Sequence, residues 1–109
     1  MYIQRQDLIL AGTENANVLA GNQFEFSPVR SIIEFGLVAS ATGLLVDILI
    51  GARAVIVGMQ PNQANRVAIY PDDFPTRAGA IAGERIIIRV RNPTAGNLTL
   101  FSSVKFTPV

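Results

Sequence analysis

The sequence contains no cysteine, no histidine and no tryptophan, and each absence closes a class of function. Without cysteine there is no disulfide framework, no thiolate nucleophile and no zinc–thiolate site. Without histidine there is no side chain whose ordinary pKa supplies a general base near neutrality, and the usual nucleophile triad cannot be assembled. With no tryptophan and only Tyr2 and Tyr70 as tyrosines, the aromatic platforms on which sugar rings stack are scarce. Neither a G-x-G-x-x-G fingerprint nor a phosphate-binding loop occurs, so no nucleotide or other cofactor is expected.

Charge is scarce too. Charged residues make up 16% of the chain while half of it is apolar, against a charged share of about 25% in ordinary soluble domains. That excess of apolar residues predicts cover by a neighbouring subunit. The net charge of +1 gives no overall field for steering toward nucleic acid or an anionic membrane, and neither is expected as a partner. Residues 1–54 hold three Arg against five acids, and residues 55–109 hold six basic groups against three acids, a polarity that suits two-partner contacts. Eight of the nine basic residues are Arg, with Lys105 the single Lys. Arg is the better interface cation because its planar fork is weakly hydrated and pairs bidentately.

Long hydrophobic runs are missing as well. The most apolar stretch, residues 36–58, is broken by Asp47 and Arg53, and its longest uncharged part, 35–46, is well short of the ~20 residues a spanning helix needs. The segment MYIQRQDLILAG carries Arg5 and Asp7 and only a four-residue apolar run, so no secretory signal is expected.

What the chain does have is strand patterning. Its 109 residues suit one domain spanning 1–109, with 1–23 expected partly as arm or loop. A core of that size is modest, so association would help it. In ERIIIRVR, residues 84–91, Ile86, Ile88 and Val90 point one way while Arg85, Ile87, Arg89 and Arg91 point the other. The turn Asn92-Pro93-Thr94-Ala95-Gly96-Asn97 follows, and 98–106 is predicted to return as the partner strand. A second hairpin is centred on Gly51-Ala52, where glycine at the first loop position suits a type II′ turn. Leu44, Val46, Ile48 and Ile50 form one face before it and Leu45, Asp47 and Leu49 the other; two mostly apolar faces predict a central strand. Further strands are expected at 24–26, at 29–41 with Gly36 as a bulge, at 65–70, and as a short edge at 8–10. Residues 12–23 and 71–83 read as the two long connections. The fold class is therefore all-β, a β-sandwich of about eight strands, for which the jelly roll is the favoured topology and an immunoglobulin-like sandwich the rival.

Few constellations suggest chemistry. Asp72-Asp73 is the one adjacent carboxylate pair, but neighbouring residues point apart, Asp after Pro is ordinary turn chemistry, and no calcium-loop spacing surrounds it. Ser103 and Lys105 share a strand face at the spacing any alternating face produces. No metal site and no enzymatic activity are expected. Arg85, Arg89 and Arg91, with Lys105 across the predicted hairpin, form the one basic row. It reads as a solvated face that guards the Ile triplet from aggregation, as a contact for an acidic protein partner, or as a nucleic-acid contact, against which the shortage of interleaved aromatics counts. Phe74, on the proline-stiffened loop 70–75, is a candidate contact anchor with an alternative role as a plug at the end of the sandwich.

The run from Ala82 to Thr94, with Leu98 to Phe106 and the terminal Thr107-Pro108-Val109, resembles the closing hairpin of small virion jelly rolls. The families concerned are the capsid decoration or cement proteins of tailed bacteriophages and the coat proteins of icosahedral viruses. The shared features are a Gly turn, an alternating strand, an Asn-Pro turn and a last strand, and no functional residue carries over. The resemblance implies a homo-oligomer, with a trimer favoured, attached to a major capsid protein or another virion protein at the capsid surface. A carbohydrate- or surface-binding sandwich module is the alternative from another class, and a small coat subunit is a third.

Overall fold

The computed structural model describes residues 2–21, 25–64, 66, 74 and 76–109. Among them there are nine strands and no helix. In chain order these are β1 (Tyr2–Ile9), β2 (Glu14–Asn15), β3 (Ser31–Ala39), β4 (Leu45–Ile50), β5 (Arg53–Met59), β6 (Asn62–Gln63), β7 (Thr76–Ala80), β8 (Ile86–Arg91) and β9 (Leu98–Pro108). They build two sheets of sandwich-like architecture. One runs β1-β9-β3, with β7 antiparallel to the first half of β3 and β6 parallel to its last two residues; the other runs β2-β8-β4-β5.

Period-two alternation creates the core between them. Ile33, Phe35, Leu37 and Ala39 of β3 and Leu100, Val104 and Phe106 of β9 belong to one buried cluster with Val46, Ile48 and Ile50 of β4 and Ile86, Ile88 and Val90 of β8. Full burial of each large side chain contributes about 1.5–3 kcal/mol. The β4 strand is central, as its two apolar faces predict, lying between β8 and β5. Its hairpin to β5 turns at Gly51 with φ of 60°, while no described non-glycine residue has positive φ. Ala52 is therefore excluded from the left-handed region, which fits a type II′ turn and rules out type I′. Two register shifts follow along β5, with Gly58 at φ of 69° beside the second.

The expected pairing of 84–91 with 98–106 is corrected. β8 and β9 lie in different sheets, and β9 pairs instead with β1 and β3. The connection 92–97 is a crossover held by Asn92, which is buried. Its Nδ2 donates to Ile9 O at 2.9 Å and Gly96 O at 2.8 Å, its Oδ1 accepts from Thr94 N at 3.0 Å and Thr94 Oγ1 at 2.6 Å, and its backbone exchanges bonds with Thr13 and Gly12. A tight hairpin would leave no place for this corner.

Four further expectations change. Gly36 is not a bulge, because β3 and β9 stay in register through Gly36 and Ser103. The connection 71–83 contains β7, whose Ala- and Gly-rich sequence carries little strand signal. At 24–26 the described part is a single bridge between Phe26 and Arg85. The predicted strand 65–70 lies outside the described residues except for Arg66, as do Asp72 and Asp73. The amino-terminal 1–23 holds an eight-residue strand, β1, in place of a short edge at 8–10.

Asn92→Ala should lower the unfolding free energy by about 3 kcal/mol, since it strands several buried backbone groups. Ser102 is also buried, but its Oγ has no hydrogen-bond partner. Ser102→Ala should leave stability unchanged or raise it by up to about 1 kcal/mol. Urea denaturation of both variants measures the contrast.

Candidate contact surface

The alternation of β8 places Arg85, Arg89 and Arg91 on the face away from the core, as the sequence indicates. The fold then gives each one an acidic neighbour. Arg85 Nε donates to Glu25 Oε2 at 2.7 Å. Arg89 lies 3.6 Å from Glu14 and 3.8 Å from Asp47, and Arg91 lies 3.4 Å from Asp47. Asp47 is buried on the outward face of β4, where it also accepts the Gly58 N–H at 2.7 Å from the bulged part of β5. Pairs of this kind contribute little stability individually. They do cancel the charge of the row within the chain while leaving the guanidinium groups partly exposed. Lys105 is not part of it, because β9 carries Lys105 into the other sheet, opposite Glu34.

Phe74 does not plug the end of the sandwich but lies over the middle of β3. It is 7% exposed and packs with Val38 and Phe101 on the outer face of the β1-β9-β3 sheet. Gly36 makes room for it: a Cβ there would lie 2.5 Å from the Phe74 ring. The glycine in the strand marks close approach of an aromatic ring to the backbone. Pro75, the other half of the predicted loop anchor, lies outside the described residues.

Four of the exposed large apolar side chains gather elsewhere, while Leu8, Leu10 and Val57 lie apart from them. Phe26, Val29, Ile81 and Val109 are 51%, 45%, 62% and 74% exposed, and all four sit on the segments that close one end of the two sheets. Those segments are tied together. Ser27 N donates to Glu84 O and Gly83 N to Ser27 O, both at 2.8 Å, and Val109 N donates to Arg30 O at 3.0 Å. Glu84 is the polar anchor, accepting from Ile81 N at 2.9 Å and from Arg53 at 3.1 Å. Ile81 is thus presented on a fixed backbone. Beside it, an open hollow of about 490 Å³ is lined by Arg30, Ile32, Arg53, Ile81, Glu84 and Val109. Arg85 reaches the same end through its bridge to Phe26. Sequence reading missed these residues because Ile81 falls in a predicted connection and Phe26 and Val29 in predicted strands; only the packing shows that they are turned outward.

Glu25 belongs to this end and is held in its charged form. The Gly21 N–H at 3.0 Å and then the Arg85 guanidinium lower its pKa below the ordinary carboxyl value of 4.5. Among the described residues no three metal-ligating side chains converge. The chain matches no family model, no curated protein and no solved structure.

Gly36→Ala should cost about 1–3 kcal/mol by overpacking against Phe74. Combined with Phe74→Ala it should cost less than the two single changes added together, a coupling that a double-mutant cycle reads directly. The lowered Glu25 pKa makes the charged form contribute stability that is fully present above the unfolded value near 4.5 and lost as pH falls through the lower folded value. Glu25→Gln should therefore flatten the fall in melting temperature over that acid range.

Proposed function

We propose that this chain is a structural protein that acts by contact, a capsid decoration or cement protein that self-associates and attaches to a larger protein lattice. The observation that carries the reading is the apolar end formed by Phe26, Val29, Ile81 and Val109, exposed on hydrogen-bonded segments. Large side chains presented on a fixed backbone lose little entropy on docking, which is how interface anchors work. Arg30 at the same end adds the cation favoured in interfaces, while Arg53 and Arg85 there are paired with Glu84 and Glu25. The remainder of the Arg row is a secondary contact, since Arg89 and Arg91 already share Asp47.

The strand order supports a jelly roll as the finer topology. With the two-residue β6 set aside, β1, β2, β3 and β4 pair antiparallel with β9, β8, β7 and β5 in turn. This is one long antiparallel ribbon wrapped so that its successive strand pairs alternate between facing sheets, and it is a frequent architecture of viral capsid domains. Lectins share it, but the shortage of sugar-stacking aromatics favours the virion reading.

Ile81→Asp should leave the melting temperature within about 1 °C of wild type, because the side chain is already exposed, and should abolish co-sedimentation with purified particles. Arg89→Glu should weaken attachment less. Attachment that survives both Ile81→Asp and Phe26→Asp would show that the wrong end had been chosen, and a wild-type protein that sediments with no particle would remove the capsid reading.

A further inference from the structure

We propose that β1 is the edge through which two copies of this chain pair, antiparallel about a two-fold axis, with Gln6 facing Gln6 of the second copy. The proposal rests on the self-association in the preceding section and names its surface and register.

Sheet edges invite pairing unless something blunts them. Among the described residues β2 is only two residues long, β6 two and β7 five, and β5 shifts register twice. The edge strand β1 is different. It keeps unbroken register with β9 from Tyr2 to Ile9, contains no Pro or Gly, and no described strand lies on its other side.

Parity then limits how a second copy can add. In an antiparallel ladder a residue points its N–H and C=O to one side, and its neighbours point theirs to the other. The groups of β1 that face away from β9 therefore belong to alternate residues, so a two-fold pair must be centred on a residue facing itself. Within Tyr2–Ile9 the centres Arg5 and Gln6 give the longest overlap, and Gln4 and Asp7 give shorter ones. Centred on Arg5, Arg meets Arg; centred on Asp7, Asp meets Asp; like charges directly opposite are destabilising. Centred on Gln6, Arg5 meets Asp7, Asp7 meets Arg5, Ile3 meets Ile9 and Gln4 meets Leu8.

The side chains fit that register. Arg5 and Asp7 share the inward face with buried Ile3 and Ile9, and they form an ion pair of 3.2 Å within the strand while keeping 35% and 16% side-chain exposure. In the pair each carboxylate lies between two guanidinium groups. Leu8, 62% exposed on the other face, gains cover. Inward charges normally guard an edge against foreign strands. Here they are self-complementary, so the same guard selects a second copy and fixes its register.

The absence of native cysteine makes the test clean. Gln6 is exposed, and directly opposite Cβ atoms in antiparallel strands lie ~4.5–5.5 Å apart, close to disulfide range. Gln6→Cys should form a disulfide-linked dimer on mild oxidation. Leu8→Cys should not, because its counterpart would be four residues along, ~13 Å away, whereas the double variant Gln4→Cys/Leu8→Cys should. Arg5→Asp should raise the dissociation constant roughly tenfold, and adding Asp7→Arg should restore it. Equal cross-linking of Gln6→Cys and Leu8→Cys, or a charge swap that fails to restore association, overturns the pairing. A wild-type multimer whose Gln6→Cys variant gives no dimer places self-association on another surface, while a wild-type monomer at all concentrations removes self-association itself.

Discussion

Every passage of this chain between its two sheets leaves backbone N–H and C=O groups that have no ladder to join, and pairing them is the constraint on which the rest depends. Two buried asparagines do much of that work. Asn92 fastens the β8–β9 crossover to the end of β1 and to the turn before β2. Asn17 does the same along β8, its Oδ1 accepting from Leu19 N at 3.0 Å and Ile88 N at 3.2 Å and its Nδ2 donating to Ile86 O at 3.2 Å. The side chain of Asn17 thus continues the ladder where β2 has ended after two residues. Were these amides lost, the apolar core would still favour collapse but the crossovers would be poorly specified.

The same economy governs charge. Asp47 is tolerated on a central strand because Arg89, Arg91 and the Gly58 amide surround it, and the Gly58 amide is available only because β5 is bulged there. A row that looks like a free basic patch along β8 is thereby closed into local pairs. The proposed contacts therefore fall on the loop end around Ile81 and on the edge along β1, where exposed apolar groups remain. The two surfaces are distinct: one offers side chains on fixed loops and the other offers backbone. Under the proposed reading, the first would join a larger lattice and the second another copy of the chain.

The sequence by itself determined the strand character, the alternation that sorts Ile86, Ile88 and Val90 from Arg85, Arg89 and Arg91, the central place of β4, and the turn at Gly51. These are local properties, set by period-two patterning and by which residues tolerate positive φ. It also carried the Arg5-Gln6-Asp7 run on which the proposed pairing rests, while only the sheet order shows that β1 is an edge among the described strands. Tertiary structure alone decided that β8 and β9 part into different sheets, because an Asn-Pro turn suits a hairpin and a crossover equally and the choice lies in the long-range bonds of Asn92. It decided that Gly36 is a seat for Phe74, since a bulge and a close approach look alike in a strand sequence. It also decided that Phe26, Val29, Ile81 and Val109 face outward together, because exposure of an apolar residue depends on what the rest of the chain fails to cover.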